Sequence, residues 1–326
     1  MTPLERALRE RIAAEGPITV ESYMEACNAY YYATRDPLGA SGDFVTAPEV
    51  SQMFGELVGA ALADCWTRAG APAEAIYVEL GPGRGTLAAD ALRVLDAAGF
   101  AGEIHLVETS PVLRQAQEQA VPGAHWHEAI EDLPVRPLLL VGNEFLDALP
   151  VRQHVDGVER RVTAATNGLA FDRDGEIIET SPARDQAVSA IATCLAAKGG
   201  VALFIDYGHA RSASGDTLQA VRGHHFAPLL HNPGEQDLTA HVDFDAVAKA
   251  ATAVDGVAVA VLARQGDWLA RLGIHARADA LAAANPGQAA EVRSAVDRLI
   301  APDQMGHLFK VLALLGPGWP APAGLV

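Results

Sequence analysis

The stretch Ile76-Tyr77-Val78-Glu79-Leu80-Gly81-Pro82-Gly83-Arg84-Gly85-Thr86-Leu87 constrains the fold more than any other. An apolar run stops at three alternating glycines, and a helical pattern begins at once. Val78 and Leu80 read as a buried strand, and Leu87 to Leu95 repeats apolar residues at helical spacing, so the glycines occupy a strand-to-helix turn. Glycine at such a turn lets the main chain approach a ligand that a Cβ would exclude. Further apolar runs at Ile104 to Val107, Leu138 to Val141 and Val201 to Asp206 alternate with helical segments, which predicts an α/β chain on a parallel sheet.

The glycine spacing narrows the ligand. A dinucleotide fingerprint has glycine at its first, third and sixth positions, whereas Thr86 fills the sixth here, and no Gly-Lys-Ser or Gly-Lys-Thr follows to make a phosphate loop. Counting from Glu79 the pattern is E-x-G-x-G-x-G, which resembles motif I of class I methyltransferases, whose ligand is S-adenosylmethionine. Glu79, Gly81, Pro82, Gly83 and Gly85 are its candidate contacts. Glu108 ends the next strand, where an acid can accept both ribose hydroxyls. A plain tight turn with a solvated Glu108 is the other reading of the same residues.

The 326 residues, half of them hydrophobic, can bury a full core. A net charge of −17 argues against a nucleic-acid partner and allows a basic protein substrate; solubility alone would also explain it. Cys27, Cys65 and Cys194 lie far apart without a C-x-x-C, which implies a reducing compartment. His224, His225, His231 and His241 lack metal-ligand spacing, so no metal is expected. Residues 1–30 show neither a signal nor a transit pattern and no apolar run could span a bilayer, which predicts a cytoplasmic bacterial protein, or a matrix protein if mitochondrial and processed.

Residues 1–75 read as a helical region covering the active site, and 76–326 as the catalytic domain with insertions at about 151–180 and 209–245. Thr46-Ala47-Pro48-Glu49 reads as a capping box followed by the apolar stripe Val50, Met53, Phe54, Leu57, Val58, Ala61 and Leu62. Asp156-Gly157 and Asp174-Gly175 suggest a hairpin excursion that extends the sheet or covers an edge. Gly208 to Asp243 shows no periodicity and reads as a lid or substrate-facing loop. Asp243 caps a helix, Val257 to Leu262 and Leu308 to Leu315 read as strands, and 276–297 as helix.

With Gly142-Asn143-Glu144-Phe145-Leu146-Asp147-Ala148-Leu149-Pro150 the likeness becomes specific. Together with Gly42-Asp43-Phe44-Val45-Thr46-Ala47-Pro48-Glu49, Asp216-Thr217-Leu218-Gln219, Asp237-Leu238-Thr239-Ala240-His241-Val242-Asp243-Phe244 and Met305-Gly306-His307-Leu308-Phe309-Lys310-Val311, it resembles the MidA family, also called the mitochondrial complex I assembly factor family of protein arginine methyltransferases. Leu146 departs from the second Phe more usual there. The resemblance implies a class I, Rossmann-like methyltransferase fold with a mostly parallel seven-stranded sheet and helices on both faces. It also implies S-adenosylmethionine as methyl donor and symmetric dimethylation of an arginine in a respiratory complex I subunit. The loop carrying Asp43, Phe44 and Thr46 is placed near the active site by the same resemblance, with Tyr32 and His241 as further substrate-side candidates. Capping and core packing would explain Thr46 and Phe44 equally.

Arginine gives the carboxylates after the fourth strand a purpose. A guanidinium stays protonated and its lone pairs are delocalised, so it is a poor nucleophile in water. A carboxylate on one edge of the fork fixes its plane and draws charge away, leaving another nitrogen to attack. Glu144 is therefore assigned as anchor, Asp147 as second carboxylate or proton acceptor, and Asn143 as orienter. Asn143 and Glu144 can both face the substrate only if the chain turns between them. A non-catalytic assembly factor, or a methyltransferase acting on another protein or a small molecule, remains open at this level.

Overall fold

A computed structural model of the chain describes residues 1–34 and 45–325. Helix α1 (Pro3–Glu15), strand β1 (Ile18–Thr19) and helices α2 (Val20–Thr34), α3 (Ala47–Val50) and α4 (Gln52–Arg68) come first. The sheet then begins: β2 (Ile76–Leu80), α5 (Thr86–Ala97), β3 (Ile104–Val107), α6 (Pro111–Ala120), β4 (His125–His127) and β5 (Leu138–Asn143). Short strands follow, β6 (Arg152–Val155), β7 (Val158–Glu159), β8 (Arg161–Ala165), β9 (Gly168–Phe171) and β10 (Ile177–Thr180), before α7 (Pro182–Lys198) and the long β11 (Gly200–His209). Next are β12 (Gln219–Arg222), β13 (His225–Ala227), β14 (Asp237–Thr239), β15 (Val242–Asp243) and α8 (Phe244–Thr252). The chain closes with β16 (Ala258–Val259), β17 (Ala263–Arg264), α9 (Gln265–Arg271), α10 (Ile274–Ala284), α11 (Ala289–Ile300), α12 (Met305–Leu308) and β18 (Phe309–Leu315).

The main sheet runs β16-β18-β11-β5-β2-β3-β4, with β15 beside β11 and β17 beside β18, so it holds nine strands, two more than expected. From β11 to β4 all pairings are parallel, and β18 enters antiparallel to β11. Strand alternation sorts the apolar side chains onto two faces. Tyr77, Leu139, Val141, Leu203 and Ile205 pack under α4, α5 and the C-terminal helices, while Val78, Leu80, Leu140 and Phe204 pack under α7 and α8. No helix among the described residues is long and apolar enough to cross a membrane.

Four local expectations give way to tertiary context. Thr46 stands at the N-cap of α3 but its side chain caps nothing; Ser51 breaks the helix and caps α4 through Met53 N at 3.2 Å. Glu49 is drawn off instead to Thr86, whose hydroxyl donates to it at 2.6 Å. The stretch 208–243 is not a structureless loop, since β12, β13 and β14 form an antiparallel sheet. The 151–180 excursion does turn at Asp156-Gly157, yet it neither extends nor edges the main sheet: β6 pairs with β7 and β10, and β8 with β9 and β1. The strand expected from Val257 to Leu262 is likewise cut down to the two residues of β16, and β17 begins only beyond it.

The inserted strands and the N-terminal helices share a third core. Leu8, Ile12, Tyr23, Met24 and Cys27 pack with Val151, Val162, Leu218, Ala220 and Leu238. Asn28 locks that core, donating to the carbonyls of Ala148 and Leu238 at 3.0 and 2.8 Å and accepting from Leu238 N at 3.3 Å.

Candidate active site

The C-terminal ends of β2, β3, β5 and β11 open into a cavity of about 910 Å³, where the strand order reverses between β2 and β5. Gly81, Gly83 and Gly85 have φ of 59°, 56° and 82°, a left-handed turn that ordinary residues rarely adopt. Gly81, Pro82 and Gly83 line the cavity, whereas Gly85 lies behind them at the start of α5, where a Cβ would come within 3.2 Å of Ala120.

Gln117 ties this turn to the ribose-side acid. Its amide donates to Gly83 O at 2.7 Å and to Glu108 Oε2 at 3.2 Å, and its oxygen accepts from the Trp126 indole at 2.8 Å. Glu108 is buried and also accepts from Ser110 N at 2.7 Å. A carboxylate has about four acceptor positions, so lone pairs remain for a diol in the cavity. Burial raises the Glu108 pKa, opposed by the Ser110 amide and Gln117. Glu79, which takes the Tyr77 hydroxyl at 2.7 Å, is pushed by burial up to about 8. Open backbone, a part-free acid at the second strand end and a further acid beside the turn fit S-adenosylmethionine, with its ribose and amino group.

The other half of the cavity is acidic. Glu144 has φ of 49°, and this left-handed residue supplies the turn that lets Asn143 and Glu144 both line the cavity. Such a backbone costs about 1–2 kcal/mol outside glycine. Glu144 Oε1 accepts from Ala47 N and from Asn143 Nδ2, each at 3.3 Å. Burial, then the Asp147 charge, pushes the Glu144 pKa up to about 8. Asp147 is buried and raised for the same reason, while the Tyr207 hydroxyl and the Arg184 guanidinium pull it back.

Residues without an obvious sequence pattern organise this half. Asp206, on β11, accepts from Leu146 N at 2.9 Å and Asp147 N at 3.2 Å, fixing the loop that carries Asp147. Arg184 donates to the carbonyls of Leu146, Asp147, Ala240 and His241 at 2.6 to 3.3 Å and provides the buried countercharge. Asp237 on β14 takes the Tyr32 hydroxyl at 2.7 Å, and the Tyr32 carbonyl accepts from Ser110 at 2.8 Å, so Tyr32 spans both halves. Asp206 and Asp237 carry a readable cue, each being an acid at the edge of an apolar run. Gln117, Arg184 and Tyr207 have none, because their partners are distant in sequence.

Thus Glu79, Gly81, Pro82, Gly83, Glu108, Thr46, Tyr32, Asn143, Glu144 and Asp147 line one cavity. His241 does not; its ring packs edge-on against Tyr207 at 5.6 Å. Asp43 and Phe44 lie outside the described residues.

The chain is similar to known methyltransferases. A family model described as "Putative S-adenosyl-L-methionine-dependent methyltransferase" matches residues 57–168 and 158–263. A Drosophila melanogaster protein named protein arginine methyltransferase NDUFAF7 homolog, mitochondrial, is 36% identical, with 97% of this chain and 85% of the relative aligned. Its Danio rerio counterpart is 34% identical over 94% of this chain and 86% of its own. A crystal structure from Burkholderia thailandensis, described as a candidate methyl transferase bound to S-adenosyl-homocysteine, superimposes with a TM-score of 0.86 at 28% identity, covering 99% of this chain and 94% of that one.

Proposed function

The chain belongs to this family of S-adenosyl-L-methionine-dependent methyltransferases, and we propose that it methylates a guanidinium nitrogen of an arginine in a protein. One observation carries the choice of acceptor. Asn143 Oδ1 and Asp147 Oδ1 are buried without a hydrogen-bond donor among the described residues, beside the Glu144 carboxyl in the same cavity. Unmet buried acceptors cost about 1–3 kcal/mol each, and a guanidinium, with five N–H donors in a planar fork, is the side chain best able to meet several at once. The names borne by the curated relatives support the same acceptor.

S-adenosylmethionine supplies a methyl group made electrophilic by its sulfonium. The residues of this chain do the rest by position and charge. The glycine turn admits the methyl donor's main body, and Glu108 holds its ribose. Glu144 pairs with one edge of the guanidinium, Asn143 Oδ1 fixes the plane, and Asp147 Oδ1 takes the proton that the methylated nitrogen sheds. Aligning the two partners is worth on the order of 7–11 kcal/mol of barrier in favourable cases.

An arginine in a respiratory complex I subunit, carried to the symmetric dimethyl product, is the acceptor to test first. Purified protein, isotopically labelled methyl donor and complex I subunits are incubated, and the products are mapped by mass spectrometry. Methyl-arginine is expected, with Glu144→Gln slower by on the order of a hundredfold while S-adenosylhomocysteine binding persists. Methyl-donor-bound protein that marks no arginine would overturn the assignment.

A further inference from the structure

The three-stranded sheet of β12, β13 and β14 has one face in the N-terminal core and one face in the cavity. Ala220 and Leu238 point into the core, while Gln219, Val221, Asp237 and Thr239 line the cavity. Register places Asp237 opposite Val221 and Val221 opposite Phe226, so these three form a row across the cavity face. Strands lie about 4.7–4.9 Å apart, which puts Phe226 roughly 10 Å outward from Asp237. The row thus leads from a buried carboxylate to a phenyl ring that is 80% exposed, the most exposed large apolar side chain among the described residues.

Single exposed apolar residues are ordinary on proteins. Phe226 differs in standing at the end of that row, on a strand that follows a tight hairpin turn. Gly223 and His224, with φ of 56° and 64°, turn the β12–β13 hairpin tightly, and Arg222 pairs with Glu235 at 3.2 Å. Leu308 also lines the cavity and is 45% exposed, its carbonyl held by Lys310 at 2.9 Å.

We propose that Phe226 is the docking residue for the protein acceptor, receiving an apolar side chain two or three residues from the target arginine in an extended segment. The inference rests on the arginine reading above. An extended chain advances about 3.3 Å per residue, so the roughly 10 Å of the row corresponds to about three residues, the outer end of that separation. The acidic cavity and the net charge of −17 suit a neutral or basic segment, with the arginine inward and the apolar residue outward. Rigid aromatic rings are also the side chains that anchor protein interfaces at low entropic cost.

The test uses peptides spanning the arginine marked in the experiment above, in two versions, with leucine or with alanine at the second and third positions on either side. Phe226→Ala is expected to raise KM for the leucine peptide about tenfold, leaving kcat, S-adenosylhomocysteine affinity and the alanine peptide's KM unchanged, with Phe226→Leu recovering most of the loss. The ring is exposed, so its removal should leave folding intact, which far-UV circular dichroism checks. An equal effect on both peptides, or none, overturns the docking role while leaving arginine methylation standing. If the wild-type protein marks no arginine, the parent reading has already failed, and this one falls with it.

Discussion

Glu144 combines a left-handed backbone with a carboxyl whose ionisation is opposed by burial and by Asp147, two features that work against stability. Between pH 4.5 and about 8 an unfolded chain would release this proton while the folded protein retains it. The carboxyl's contribution to stability therefore falls as pH rises through that window and is flat beyond it. A bound guanidinium reverses the preference by stabilising the carboxylate, so acceptor binding expels the proton. KM for the acceptor should fall by up to about tenfold per pH unit below 8 and then level off. In Glu144→Gln that slope should vanish, and its melting temperature should exceed the wild type at pH 8. A wild-type KM independent of pH from about 6 to 8 would remove Glu144 from the guanidinium's contacts. Sequence could name Glu144 and Asp147 because they sit after an apolar strand; it could not name Arg184 or Tyr207, which meet them only through β11 and α7.

Helices α4 and α5 cross at two glycines one turn apart. A Cβ on Gly55 would come within 2.5 Å of Asp90 Cβ, and one on Gly59 within 2.5 Å of the Ala91 carbonyl. Because α5 begins at the cofactor turn, this crossing sets how far the turn projects into the cavity. Gly59→Leu should cost about 1–3 kcal/mol of stability and weaken S-adenosylhomocysteine binding together. Thermal unfolding and calorimetric titration read the two, and a loss of stability with unaltered affinity would separate the crossing from the turn. At this scale legibility depended on length. Strands of four or more apolar residues announced themselves, whereas β12 to β14, three or four residues each with turn residues between, left no period to read. The capping box failed differently: its local pattern was sound, but Thr86 competed successfully for Glu49.

The molecule as a whole has two cores that flank the main sheet and a third that closes over the cavity. Asn28 joins helix, cavity loop and inserted sheet through three hydrogen bonds, so Asn28→Ala strands an amide and two carbonyls at about 1–3 kcal/mol. Hydrogen exchange should then quicken in 20–34 and 218–240 while β2 to β5 stay protected. Uniform quickening would mean the cap is not a separate cooperative unit. The strand order and glycine turn made the central unit legible, but the third core is assembled from segments too far apart for any local pattern to reveal.

That third core also orders events during synthesis. Leu218 to Ala240 leave the ribosome roughly 200 residues after Leu8 to Cys27, a delay of about 20 s at ~10 residues per second. Helices α1 and α2 are therefore translated early and buried late. Through that interval their apolar faces are open to the cellular folding machinery, while the nucleoside-binding strands behind them can already be pairing.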